Sequence, residues 1–297
     1  NGLGNLIIDD SLEPGNYSII ASLNPSEDYD VANAYGVLTV YSRKNFKAIQ
    51  SMIDEARPGS TIYLDGLYEG SGEEIVINKS IKIVGSYINE TILDANKLSR
   101  IFSITADDVT IKNILFRNVN KGVFGGAIYV DFDTNNLTIS NCTFVNNTAN
   151  AGAAIAWIGD NGTLENCTFI NNFASSGSGG AINWNGDNGI VKDCYFYGNL
   201  GSSGGAIRWN SRLGNVSNCT FINNKAIDFD GGAISWSGLN GTVENSTFTN
   251  NYAFFYGGAI EWSSHYGLID NCYFNENNVS QQEECTHPDR KRGSAGM

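Results

Sequence analysis

The sequence predicts an all-β chain wound as a parallel β-helix solenoid, and three observations predict it. One phenylalanine recurs as Phe116, Phe144, Phe169, Phe196, Phe221, Phe248 and Phe274, at intervals of 25–28 residues. A glycine-rich motif follows each of these except the last, from Gly125-Gly126-Ala127-Ile128 to Gly257-Gly258-Ala259-Ile260, and reads Gly152-Ala153-Ala154-Ile155 in the second copy. No proline lies between Pro58 and Pro288, as a continuous hydrogen-bonded ladder demands, because proline cannot donate to it.

Repetition at this period means a stack of coils, each a set of short strands joined by bends, with successive coils about 4.8 Å apart and equivalent residues in register. Period-two alternation assigns the faces. Two residues beyond the motif isoleucine stands a tryptophan in five copies, Trp157, Trp184, Trp209, Trp236 and Trp262, and these are all the tryptophans of the chain. The residue between them varies (Tyr129, Ala156, Asn183, Arg208, Ser235, Glu261), so it faces water and Ile and Trp point inward. The inward tryptophans are therefore core rather than a sugar-stacking surface.

In the strand that carries the phenylalanine, Cys142, Cys167, Cys194, Cys219 and Cys272 align with Ile114 in one inward column. In-register parallel Cβ vectors are poorly aimed for disulfides, so buried free thiols are expected. Asn113, Asn141, Asn166, Asn218, Asn245 and Asn271, with Asp193 once, precede that column and suit a bend. Stacked amides there would hydrogen-bond along the axis. Six of the phenylalanines also open an F-x-x-N motif, ending at Asn147, Asn172, Asn199, Asn224, Asn251 and Asn277.

Upstream, Phe46, Ile49, Met52, Ile53 and Ala56 recur at helical spacing before Arg57-Pro58-Gly59. This predicts a short amphipathic helix covering the open end of the first coil, as solenoids require. Irregular coils then run through Thr61–Leu64, Ile75–Ile77, Ile81–Val84 and Ile101–Ile104. The expected organisation is a β module over 1–41, a linker and capping helix over 42–58, the β-helix over 59–282 and a disordered tail over 283–297. Residues 1–41 read as strands with Pro-Gly and Asn-Pro turns, too few for a complete sandwich. They resemble the second half of a bacterial immunoglobulin-like module. The chain starts with Asn and is expected to be a fragment of a longer protein.

The formal net charge of −13, from 31 acidic and 18 basic residues, argues against nucleic acid or anionic membrane as a partner. No apolar run approaches the ~18 residues of a membrane span, so direct membrane insertion is not expected.

The Gly-Gly-Ala-Ile and F-x-x-N repeats together resemble those of chlamydial polymorphic outer-membrane proteins. They are more similar still to the Asn-rich adhesin-like surface proteins of methanogenic archaea, which join pectin-lyase-like β-helices to immunoglobulin-like modules. The opening segment Phe46–Asn118, with Lys79-Ser80-Ile81-Lys82-Ile83-Val84-Gly85, looks like the usual start of that fold. The likeness covers roughly residues 1–280. It implies a right-handed helix, extracellular exposure on a cell surface and attachment to a glycan or a cell-surface protein. It carries over no catalytic residues and no cofactor.

Two sets of residues nonetheless stand out. Five residues after each motif isoleucine lie Asp133, Asp160, Asp187, Arg212, Leu239 and His265. Three carboxylates on adjacent coils would bind Ca²⁺ or share a proton. Resemblance to polysaccharide lyases and glycoside hydrolases of the pectin-lyase-like fold implies such a use, and this is the alternative to a non-catalytic module. The plainer reading is that aspartate in Gly-Asp-Asn-Gly is a turn residue. The second set is the aromatic loop Tyr252, Phe254, Phe255 and Tyr256, where other coils carry serine and glycine. It is read as an exposed contact site for glycan or protein, or as loop-to-loop packing. Among the sequons, Asn161, Asn215 and Asn240 fall in outer turns and are candidates for glycosylation.

Overall fold

The computed structural model describes residues 15–23, 32–40, 43–86, 90–120, 122 and 124–280. The chain divides into two compact units, Asn1–Lys44 and Asn45–Met297. In the first, strands Gly15–Leu23 and Ala32–Val40 pair antiparallel from Gly15 opposite Val40 to Leu23 opposite Ala32. The rest of the immunoglobulin-like reading falls on residues outside those described. The expected tail after residue 282 also lies outside them.

The second unit is a right-handed parallel β-solenoid of about nine turns with, among the described residues, a single helix. Its first face runs from Thr61–Leu64 to Leu268–Asp270 in nine parallel strands. The second face ends at Tyr273–Asn275 and carries the phenylalanines. A third face of eight strands runs from Ile75–Ile77 to Ile260–Trp262. From Thr148–Ala149 onward a fourth, six-stranded face of two-residue strands is inserted between the second and third.

Each coil turns its corners on residues with positive φ, which β-carbons disfavour and which Asn and Gly tolerate best. In the coil that follows Cys142 these are Asn146 (φ 54°), Gly152 (φ 57°), Asn161 (φ 55°) and Asn166 (φ 49°). The abundance of Asn and Gly is thus the signature of the corners.

Inside, equivalent side chains stack coil upon coil. Phe116 to Phe274 form a column with centroids 4.6–5.0 Å apart and nearly parallel planes. Trp157 to Trp262 form a second column, 4.3–4.8 Å apart. Trp157, Trp184, Trp209 and Trp236 are fully buried, so their inward assignment holds. The cysteine column is also inward, with Cys142, Cys167, Cys194 and Cys219 buried as free thiols and Cys272 half-buried. Burial in this apolar column pushes the Cys167 and Cys219 thiols well up.

The strongest amide ladder is the F-x-x-N asparagine, not the bend asparagine. Asn172 Nδ2 donates to Asn199 Oδ1 (2.9 Å) and to the Phe144 carbonyl (3.1 Å), and its backbone N–H donates to the same Asn199 oxygen (3.0 Å). The pattern repeats at Asn147, Asn199, Asn224 and Asn251, all buried. The bend asparagines are mostly exposed, Asn113 and Asn141 excepted, and bond amide to amide only at some steps, such as Asn166 to Asn141 at 2.8 Å.

The helix spans Phe46–Glu55, and its N-terminus is closed by the Asn45 side chain accepting from the Ala48 N–H at 3.0 Å. Phe46, Ile49 and Ile53 are buried in the same core as the coils, whereas Met52 turns to solvent. Gln50 Oε1 accepts from the Val76 N–H (2.7 Å), and Lys79 Nζ donates to the Asp54 and Ala56 carbonyls, where a cation meets the negative end of the helix dipole.

Candidate functional site

A three-residue strand with two inward side chains presents one outward. On the third face this gives a row in strict register: Tyr129, Ala156, Asn183, Arg208, Ser235 and Glu261. Not all six face water as expected: Ala156 and Ser235 are buried beneath the longer side chains of neighbouring coils. The residue after each strand supplies a second row, which reads Asn185, Asn210, Ser237 and Ser263 from the third coil of that series onward.

Arg208, half-buried, organises the polar part of these rows. Its Nε donates to Asn210 Oδ1 at 2.8 Å, and Nη1 reaches Ser203 Oγ and Ser235 Oγ. Ser235 in turn donates to Glu261 Oε2 at 3.0 Å. Asn210 Nδ2 bridges to Asn183 Oδ1 (3.2 Å) and Asn185 Oδ1 (2.9 Å), and Ser237 Oγ bonds to Asn210 Oδ1 at 3.1 Å. The rows form a continuous ladder of amides, hydroxyls and one guanidinium.

The ladder continues into the loops that precede the third face. Ser203 Oγ donates to the Asp230 carbonyl at 3.1 Å, and Asp230 Oδ1 accepts from the Tyr256 N–H at 3.0 Å. The N–H groups of Phe254 and Phe255 both donate to the Phe229 carbonyl, at 3.1 and 3.2 Å. The aromatic loop is therefore tied to its neighbour rather than free-standing. Phe254, Phe255 and Tyr256 are half-buried, with Phe254 and Phe255 edge-to-face at 4.7 Å. Of the two readings, exposed contact site or loop-to-loop packing, the backbone follows the second, its donors finding partners on the preceding loop, while the rings stay half-open to solvent. Phe229 is the more open ring of this cluster, 54% exposed. Tyr252 lies apart on the fourth face, with Lys225 Nζ 4.6 Å above its ring and its hydroxyl against Ser280 Oγ.

The aspartate column is also corrected. The stretch from Ile128 to Ile139, the inward residue of the next first-face strand, is two residues longer than the equivalent stretch from Ile155 to Leu164. Counting five residues from the isoleucine therefore lands on the wrong side chain. Asn135, not Asp133, pairs with Asp160, and Asp107 stands one coil further back. The observed column reads Asp107, Asn135, Asp160, Asp187, Arg212, Leu239 and His265, joined by backbone bonds of the type Asn188 N–H to the Arg212 carbonyl.

The carboxylates of this column are engaged in holding coil to coil. Asp107 Oδ1 accepts from the Asn135 N–H (2.6 Å), Asp160 Oδ1 from the Asp187 N–H (2.7 Å), and Asp187 Oδ1 from the Arg212 N–H (2.9 Å). Asp187 Oδ2 also takes the Arg212 guanidinium at 2.7 Å. Burial alone would raise the Asp187 carboxyl, but the Arg212 backbone N–H and guanidinium outweigh it and hold it below its ordinary value. Among the described residues no three His, Cys, Asp or Glu side chains gather to hold a metal ion. The Ca²⁺ expectation at Asp133, Asp160 and Asp187 is not met by this geometry, since Asp133 is out of register with the other two.

Arg208 is the residue that the repeat reading passed over as merely outward-facing. Its signal is visible in hindsight: it is the one basic side chain in a row of six variable positions.

The model of the family described as rhamnogalacturonase A/epimerase, pectate lyase-like, matches residues 35–250. The chain belongs to this family. Solved structures share the β-solenoid of this family at low identity. ORF18 of Geobacillus virus E2 is similar at 16% identity and TM-score 0.56, covering 80% of this chain and 58% of that one. The alginate lyase AlyF-OU02, solved with G6, is similar at 15% identity and TM-score 0.53, covering 85% of this chain and 62% of that one. The chain thus spans about three fifths of the length of each. No curated protein sequence matches it.

Proposed function

We propose that the solenoid is a rigid, non-catalytic module that binds a glycan along its third face, within an adhesin-like protein exposed on a cell surface. The observation that carries this is the Arg208 network. It aligns amide and hydroxyl groups at the coil spacing, comparable to the rise of one sugar in an extended glycan, and joins them to a wall of aromatic rings. Polar groups fixed by their neighbours lose little freedom on binding, and the adjoining rings supply faces for sugar C–H groups. In this reading the helix Phe46–Glu55 caps the first coil, the N-terminal strands belong to an immunoglobulin-like spacer, and no cofactor takes part. A cell-surface protein is the alternative partner.

The alternative, a Ca²⁺-dependent polysaccharide lyase or glycoside hydrolase, is favoured by the family and by the fold shared with an alginate lyase. Its acid or base would come from Asp160, Asp187 or Arg212. Against it, a general acid needs a raised carboxyl, whereas Asp187 is lowered by its arginine and Asp160 accepts a backbone N–H.

The test is incubation of the intact chain with a panel of neutral, acidic and amine-bearing polysaccharides, with and without Ca²⁺, followed by retention and product release. Retention without new reducing ends or unsaturated product, weakened by Arg208→Ala, is the expected result. Product that disappears in Asp160→Asn or Asp187→Asn would establish the enzymatic reading instead.

A further inference from the structure

We propose that the glycan on the third face carries amines, as a polymer of glucosamine-type residues does, and not carboxylates; this rests on the binding reading above. The charges around the face decide it. From Tyr129 to Tyr266 the third face and its two bordering loops hold seven carboxylates against the guanidinium groups of Arg208 and Arg212.

Both guanidinium groups are already engaged by this chain's own acceptors. Arg212 is spent on Asp187, which takes both its Nε (3.1 Å) and its Nη2 (2.7 Å). Arg208 is spread over Asn210, Ser203 and Ser235, and Ser235 connects it to the Glu261 carboxylate. By contrast, Asp131, Asp133, Asp160 and Asp228 form no ion pair among the described residues. Asp133, Asp160 and Asp228 are exposed. A polyanion would have to bring further negative charge beside them in a chain whose net charge is already −13. The same field draws a polycation in and raises its encounter rate.

The acceptors suit an ammonium group as well. Carboxylates stand towards both ends of the row: Asp131 and Asp133 follow Tyr129, whose ring lies 4.9 Å from an Arg100 guanidinium already paired with Glu74, and Asp228 precedes the Ser235 coil. Asparagine carbonyl oxygens lie between, and a cation beside an exposed aromatic face gains further attraction. The Tyr129 and Ser235 coils are four steps apart, about 19 Å at the inter-coil spacing. A ligand that meets both ends is therefore an oligomer of several sugars rather than a single one.

The experiment is titration calorimetry of the intact chain at low salt and about pH 5.5, where amines are protonated and carboxylates ionised. Three probes are compared: the glucosamine hexamer, its fully N-acetylated form and the galacturonate hexamer. The glucosamine hexamer should bind tightest and lose affinity with added salt. Asp133→Asn/Asp228→Asn, which removes two exposed carboxylates, should weaken it about three- to tenfold while leaving the N-acetylated form unaffected. Tighter binding of galacturonate, equal binding of the N-acetylated hexamer, or an unchanged double variant would overturn the proposal. If no hexamer binds, the polysaccharide panel separates the two readings: retention on another glycan overturns only the amine assignment, and silence across the panel overturns both.

Discussion

Gly189 lies flat against the indole of Trp184: a β-carbon at position 189 would come within 2.4 Å of Cε2 and Cζ2. The relationship recurs at five-residue spacing in every tryptophan coil, as Trp157 with Gly162, Trp209 with Gly214, Trp236 with Gly241 and Trp262 with Gly267. Each tryptophan can stack only because the chain returns past it without a side chain. Gly189→Ala should therefore destabilise the solenoid by about 1–3 kcal/mol through overpacking. Gly122→Ala, whose β-carbon would meet nothing closer than 3.5 Å, should leave the melting transition nearly unchanged. Thermal denaturation of the two variants checks the contrast.

The buried asparagine ladder makes a second prediction. Asn199→Ala removes the acceptor of the Asn172 backbone and side-chain N–H groups and the donor to the Phe169 carbonyl. Leaving these buried groups unpaired should cost about 2–5 kcal/mol. Asn166→Gly at the exposed bend keeps the positive φ accessible and should cost less than half as much by denaturant titration.

Thiol reactivity should follow the column. In a Cys285→Ser background, Cys272 should react first with an aromatic disulfide reagent at pH 8, being half-buried. Cys142, Cys167, Cys194 and Cys219 should react only as the fold opens, because burial keeps the reagent out. Burial also holds Cys167 and Cys219 well above the usual thiol range. At Cys194 burial is outweighed by the hydrogen bonds with Cys167 and Cys219, which lower the thiol to about 5 and leave access alone as its protection. Mass spectrometry of partly labelled protein would read this order, and early labelling of Cys167 would contradict it.

The Asp187–Arg212 pair makes a prediction with a definite sign. The Asp187 carboxyl is lowered in the folded chain, so its contribution is present above the unfolded carboxylate value and is lost as pH falls through the folded one. Wild type should therefore melt above Asp187→Asn at neutral pH, and the two should converge in strong acid. Arg212 is largely solvent-exposed and Asp187 only half-buried, so the gap should be small.

The solenoid was legible because its code is periodic: a phenylalanine column, a Gly-Gly-Ala-Ile turn and a tryptophan fixed the inward faces without reference to any single contact. The site was less legible because it depends on where the period breaks. A two-residue insertion after Ile128 put Asp133 in the place that Asn135 occupies, which no count from a fixed offset detects. The role of the F-x-x-N asparagine was missed because polarity at an inward position is satisfied only by the coils above and below. The importance of Arg208 was missed for the opposite reason, since outward residues vary freely and one arginine among six is unremarkable until its partners on neighbouring coils are seen.

The central claim is that the third face holds a glycan without cleaving it. The most direct measurement follows one sample of the intact chain on an immobilised glycan that it retains, over a prolonged incubation with Ca²⁺. Retention and soluble product are recorded together, beside Arg208→Ala. Stable retention, no product and loss of retention in the variant are the predicted result. Steady release of shortened or unsaturated glycan by the wild type would contradict the claim and make the solenoid an enzyme.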